Sequence, residues 1–133
     1  MPFVSVTRMR LRSAWQLPRF FRYAIPSSMQ ARKATGNLRV DLLNDARFTF
    51  WTLTVWKDEA SMRAYMLAGV HRKAMAAILE IADEAAVAHW EQESATPPDW
   101  QEGYRRLVES GRFTRLKYPS PAHLERRIDA PRA

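Results

Sequence analysis

The chain has 133 residues, 47% of them hydrophobic, which suits one domain with its own core and no need of covalent staples. It has no cysteine, so disulfides, thiolate catalysis and Cys-ligated metals are excluded together. The net charge of +7 is uneven: residues 1–40 carry eight basic side chains and no acid, residues 41–93 five against nine, and residues 94–133 eight against five.

An acid-free first third could attract an anion or a nucleic acid; the plainer alternative is that its arginines solvate a helix and pair with the acidic middle. The N-terminal order Met-Pro-Phe-Val-Ser-Val-Thr-Arg lacks the basic-then-apolar pattern of a secretion signal. No apolar run approaches the roughly 20 residues of a membrane span. A soluble, cytoplasmic protein without a membrane partner is expected.

In chain order, residues 3–12 alternate as a strand does. Phe3, Ser5, Thr7, Met9 and Leu11 share one face; Val4, Val6, Arg8, Arg10 and Arg12 share the other, which turns from apolar to cationic as if leaving a packed interior for water or a polar cavity. From Leu17 the period becomes helical, with Leu17, Phe20, Phe21, Ala24, Ile25 and Met29 on one stripe. Pro26 removes a backbone donor and crowds the preceding turn, which predicts a kink or two short helices. Thr35-Gly36-Asn37 closes that helix.

Residues 38–43 read as a second strand, 44–47 as a tight turn and 48–56 as a third strand, together a hairpin. Its run Thr49 to Trp56 is β-branched and aromatic on both faces, so it needs cover above and below. Asp58 caps a helix over 59–68, which stops at Gly69. The next helix has the stripe His71, Met75, Ile78 and Ala82, which places His71 on its buried side at the N-terminal end and Met75 in the core. Residues 85–92 form a fourth strand. Thr96-Pro-Pro-Asp-Trp is a break, followed by a helix over 99–110 capped by Asp99. The remainder, with Pro119, Pro121 and Pro131, reads as an arm that packs through Phe113, Leu116 and Tyr118 and frays after about Leu124.

This order is β-α-β-β-α-β. It predicts an α+β, ferredoxin-like domain over residues 1–95 whose four-stranded antiparallel sheet has helices on one face, with a C-terminal helix and arm over 96–133 packed on it. Leaving the other sheet face in water would forgo roughly 1.5 to 3 kcal/mol per large side chain, so two such sheets are expected to face each other in a homodimer.

The text Phe-Trp-Thr-Leu-Thr-Val-Trp56-Lys-Asp-Glu-Ala-Ser-Met-Arg-Ala-Tyr65, followed by Gly69-Val-His71-Arg-Lys-Ala-Met75, resembles the dimeric α+β barrel superfamily. That superfamily includes the antibiotic biosynthesis monooxygenases and the haem-degrading monooxygenases. The likeness extends to the spheroidene monooxygenase-like group, where Ser/Thr-Val-Trp leads into Glu-Ala-x-x-Arg-Ala-Tyr and then Gly-x-His, and it spans roughly residues 3–92. It implies a monooxygenase-like protein that acts on or binds a flat apolar ligand of polyketide, carotenoid or haem type. The cofactor is then either none or haem, with His71 matching the group's Gly-x-His histidine. In the haem-degrading branch the iron ligand and the catalytic tryptophan would fall at Met75 and Tyr65, and both depart from that pattern.

The residues themselves give His71 as candidate base or ligand, since a first-turn histidine feels the positive helix end and stays neutral. It also reads as a histidine capping its own helix. Trp56, Tyr65 and Trp51 are candidate aromatic walls, and equally candidates for plain packing. His89, alternating with Val87 on one sheet face, could line the barrel, or be a satisfied core or edge histidine. Arg8, with Arg10, could hold a carboxylate, propionate or enolate if their face lines the barrel. No phosphate loop, paired-carboxylate site, Ser-His-Asp order or zinc spacing is present. A non-catalytic dimeric ligand-binding or basic interaction protein is the alternative, with nucleic acid not the expected partner. The deciding structural question is whether a cavity beside His71 and Trp56 is open, or filled by Met62, Met66 and Met75.

Overall fold

The computed structural model describes residues 1–132. The elements are β1 (Phe3–Leu11), a 3-10 turn (Ala14–Gln16), α1 (Leu17–Lys33), β2 (Asn37–Asp45), β3 (Thr49–Trp56), α2 (Glu59–Met66), α3 (Gly69–Ile81), β4 (Ala82–Glu91), α4 (Trp100–Ser110), β5 (Arg112–Phe113) and α5 (Pro121–Leu124). The strands form one antiparallel sheet in the order β2-β3-β1-β4-β5. The expected four strands are present, and the two-residue β5 adds a fifth at the edge of β4. No helix among the described residues is long and apolar enough to cross a membrane.

Each face of the sheet is set by the two-residue period of its strands. Val4 and Val6 of β1, Trp51, Leu53 and Val55 of β3, and Ala86, Ala88 and Trp90 of β4 form one buried cluster. Its cover is α4, through Leu107, Trp100 and Tyr104, joined by Ile128 of the C-terminal arm. Asp99 Oδ1 accepts from the Glu102 amide at 2.8 Å and starts the helix. Gly103 lets it lie close: a Cβ there would stand 3.2 Å from Cγ2 of Val6. The face that led the sequence to demand a second sheet is therefore covered within the chain. The stripe Trp100, Tyr104 and Leu107 supplies what a facing copy was expected to supply.

Helices α1, α2 and α3 cover the opposite face. Three other expectations change here. α1 runs unbroken through Pro26, because Pro26 and Arg22, whose carbonyl loses its partner, both lie on the exposed side where water can serve that carbonyl. The apolar stripe of α1 is only half used: Leu17 and Phe20 pack on the core beside Met9 and Leu11, whereas Phe21, Ile25 and Met29 remain exposed. α3 is rotated from its expected setting and buries Ala74, Ala77 and Ile81, so Met75 is 41% exposed rather than a core residue, and Ala82 already belongs to β4.

The basic first third meets the acidic middle. Arg8 Nη1 donates to Glu84 Oε1 at 2.7 Å with both side chains buried, Arg10 holds Asp83 at 2.9 Å, and Arg19 holds Glu80 at 3.0 Å. Arg8 and Arg10 at the cationic end of β1 thus enter an ion-pair cluster, while Arg12 just beyond it is exposed. Ser120 Oγ extends this cluster to Glu84 Oε2 at 3.1 Å and caps α5. Behind it His123 is buried, its Nδ1 accepting from the Ala85 amide at 3.3 Å and its Nε2 lying 2.8 Å from the Thr114 carbonyl, a pattern that assigns the proton to Nε2. The arm does not fray after Leu124: Ile128 packs on the α4-side core, and Pro131 is buried with its carbonyl accepting from Gln101 at 3.4 Å.

Candidate functional site

Between the sheet and the helices lies a cavity of about 390 Å³. Its floor comes from alternate residues of three strands. Ser5 stands opposite Thr54 on one side and His89 on the other; Thr7 stands opposite Thr52 and Val87. A row of hydroxyls, with His89 at its end, therefore crosses the floor. The roof is Met62, Tyr65 and Met66 of α2 and His71, Met75 and Ile78 of α3, with Arg112 and Arg115 at the β5 side. A second concavity of about 310 Å³ shares Tyr65, His71, Thr7 and Thr52 and continues beneath α1 to Ile25, Met29 and Leu42. The methionines line this space and do not fill it.

Local structure sets the roof. Asp58 Oδ1 accepts from the Ser61 amide at 2.8 Å, which starts α2 directly after β3 and carries Tyr65 back over Trp56. The Tyr65 ring lies 5.2 Å from the Trp56 ring and 4.4 Å from the His71 ring. Its hydroxyl donates to the Ser27 carbonyl at 3.0 Å, and burial pushes the phenol well above its usual range. The Gln30 side chain accepts from the His71 amide at 3.2 Å, so α1 fixes the entry of α3.

Burial holds His71 below the ordinary histidine range, with the Met66 carbonyl pulling it partly back. His89 is held low by burial and by the nearby charges of Arg112 and Arg63. Nδ1 of His71 and Nε2 of His89 are each sealed without a hydrogen-bond partner. Two imidazoles that favour the neutral form thus line one apolar chamber with Tyr65. Such groups suit proton abstraction near neutral pH.

Of the residues singled out from sequence, the structure brings His71, Tyr65 and His89 together. It sets three apart. Trp56 is fully buried behind Tyr65 and supports that ring instead of lining the cavity. The Trp51 indole lies on the α4 side, 6.4 Å from the Trp100 ring, with Nε1 donating to Asp45 Oδ2 at 3.2 Å. Arg8 is on that side too, over the Trp51 ring and paired with Glu84, so it has no free charge to offer a ligand. Sequence reasoning passed over the hydroxyl row, although the alternation of β1 had already put Ser5 and Thr7 on one face. Arg112 carried no signal, because only the short β5 brings it to the cavity.

Haem fits these residues poorly. An iron-ligating imidazole ordinarily donates its second nitrogen to a carboxylate or carbonyl that fixes its orientation. His89 Nε2 has no such partner, and the His71 ring, hydrogen-bonded to the Met66 carbonyl, is held against the Tyr65 ring. The arrangement suits a base better than an axial ligand.

No curated protein sequence matches the chain. Among solved structures, it is similar to SnoaB, a cofactor-independent oxygenase from Streptomyces nogalater (TM-score 0.58, 15% identity, 74% of this chain and 98% of that one). It is also similar to an antibiotic biosynthesis monooxygenase (0.61, 12%, 69% and 99%) and to a conserved protein from Methanosarcina mazei Go1 (0.62, 14%, 70% and 94%). At these identities the likeness establishes the fold alone, a ferredoxin-like α+β one. Residues 22–112 match the family model described as a domain of unknown function, DUF3291, and the chain belongs to that family.

Proposed function

We propose that the protein is a small oxygenase acting on a flat, apolar, enolisable aromatic ligand without a bound cofactor. The observation that carries this reading is the joint presence of a neutral, buried His71 and a hydroxyl row in one apolar cavity of suitable size. The solved relative described as a cofactor-independent oxygenase supports it.

His71 removes a proton from an activated C–H of the ligand, becoming imidazolium. Thr7, Thr52 and Thr54 orient the adjacent ketone oxygen as negative charge collects there. The carbanion gives its electron pair to dioxygen, forming a C–O bond and, after reprotonation, a hydroperoxide. Loss of water breaks the O–O bond and leaves a new ketone, so one oxygen atom enters the product and the other leaves in water. The ligand is oxidised and dioxygen is reduced. Tyr65 serves as an aromatic wall, since its hydroxyl is committed to Ser27.

The basic interaction protein considered as the alternative loses support, because Arg8, Arg10 and Arg19 are already paired with acids.

Anthrone is a suitable probe: tricyclic, apolar and enolisable. Oxygen uptake and anthraquinone absorbance should rise above the buffer rate with the wild-type protein, and His71→Ala should lower kcat by about 100-fold or more, the range of a lost general base. No binding of anthrone, or an undiminished rate in His71→Ala, overturns the reading.

A further inference from the structure

Arg112 and Arg115 line the β5 end of the cavity, and both are exposed. Neither guanidinium has an ion pair or a hydrogen-bond partner among the described residues. The arginines of the other strands are already engaged, Arg8 and Arg10 with Glu84 and Asp83, Arg39 with Asp41. Apart from Arg112 and Arg115, no Asp, Glu, Lys or Arg lines either concavity among the described residues. The space is thus uncharged along its length and cationic at one end.

Sheet register fixes where that end lies. Thr52, Thr7, Val87 and Arg112 are successive partners on β3, β1, β4 and β5. Directly paired residues of neighbouring strands project from the same face, so Arg112 ends the row that Thr52 begins across the cavity floor. Strands lie about 4.8 Å apart, and three such spacings set the two ends of the row about 14 Å from each other. That span suits a flat body of two or three fused rings followed by a short polar substituent. The charge of Arg112 is felt inside the cavity, where it and Arg63 help to hold His89 low. Arg63 is tied to Glu59 of α2 at 2.6 Å, whereas no acid offsets Arg112 among the described residues.

A planar guanidinium fork matches the two oxygens of a carboxylate, to which it donates two parallel N–H bonds. We propose that the ligand is an aromatic carboxylic acid, bound with its rings over the hydroxyl row and its carboxylate at Arg112, where Arg115 adds a second positive charge. This rests on the cavity proposed above as the ligand site and adds an acid group to the ligand class, without depending on the oxygen chemistry. The anion-holding part expected of Arg8 and Arg10 passes to the β5 edge. A carboxylate fixed there sets the direction in which the rings lie, and hence which carbon faces His71.

The test is binding of anthracene-2-carboxylate and of anthracene-2-carboxamide, its neutral counterpart of similar shape, followed by ligand fluorescence at low and high salt. The wild type should bind the acid about fivefold or more tighter than the amide. That preference should shrink as salt rises, because the charges meet at an exposed rim. Arg112→Gln should bring the two ligands within about twofold by weakening the acid alone, and Arg115→Gln should narrow the gap partway. Arg112→Lys, which keeps the charge and loses the fork, should retain part of the preference, and Arg112→Glu should invert it. Circular dichroism checks that each variant folds. Equal binding of acid and amide by the wild type, or a preference that survives Arg112→Gln and Arg112→Glu, overturns the proposal. Binding of neither ligand overturns it together with the cavity as ligand site. A preference for the acid that depends on Arg112, in a protein that does not oxidise anthrone, overturns the oxygenase reading and upholds this one.

Discussion

Leu107→Ala is the most direct test of whether α4 is an integral cover of the sheet. Leu107 is 1% exposed and sits among Val4, Val6, Trp51, Leu53 and Trp90. Removing three buried carbons forfeits about 2.4 kcal/mol at roughly 0.8 kcal/mol each. The space left behind cannot fully collapse, because the facing strands are held in a hydrogen-bonded ladder; that brings the expected loss to about 3 kcal/mol. Urea unfolding followed by tryptophan fluorescence should show a lower midpoint with an unchanged slope, since the same surface is exposed on unfolding. Val108→Ala, one residue on and 57% exposed, should stay within about 0.5 kcal/mol of wild type. A loss under about 1 kcal/mol for Leu107→Ala, or a first transition belonging to α4 alone, would refute the reasoning, because α4 would then be an appendage and the sheet would need another cover.

Glu84→Ala should cost about 3 kcal/mol in the same assay, since it leaves the buried Arg8 guanidinium without its counter-charge; Asp83 remains to hold Arg10 but does not reach Arg8. Acid should destabilise the protein well before its carboxylates titrate. His71 and His89 have lowered folded-state pKa values, so below about pH 6.5 the unfolded chain binds protons that the folded chain refuses, and stability falls with pH until the folded imidazoles titrate. The slope contributed by His71 can approach roughly 1.4 kcal/mol per pH unit, with less from the more exposed His89. Unfolding free energies at about pH 7.5, 6.5 and 5.5 should show it, and His71→Asn should flatten it. A wild type equally stable at the two ends of that range would count against neutral, buried rings. Asp45 and Asp58 have folded values below normal, so the stability they add persists above about pH 4 and is lost only under stronger acid.

Much of the fold was legible because each strand face and helix cap has a local cause. The alternation in β1, the β-branched run of β3, and Asp58 and Asp99 as caps fixed the element order without reference to distant contacts. What escaped depends on docking. The stripe Trp100, Tyr104 and Leu107 was visible as helix text, but its spacing does not say which surface it meets. A stripe read as His71, Met75 and Ile78 fits a helix about as well as Ala74, Ala77 and Ile81, and alanines carry too little hydrophobic weight to decide the rotation. His71, Tyr65 and His89 were legible as site residues through type and position. Arg8 and Trp51 were misplaced because alternation gives two faces and no label for the one with the cavity.

The position of β1 has a consequence for synthesis. It leaves the ribosome before the other strands of its sheet, yet it lies at the centre, with Phe3 paired to both Trp56 and Glu91. Its apolar residues must wait for β4 to emerge before both neighbours exist, and α4, which shields Val4 and Val6, emerges later still. Contacts so distant in sequence slow folding and prolong the exposure of sticky surface. Chains stalled before β4 should therefore depend on chaperone holding, and amide protection of β1 should appear late, in step with β4, even though β1 is made before every other strand of the sheet.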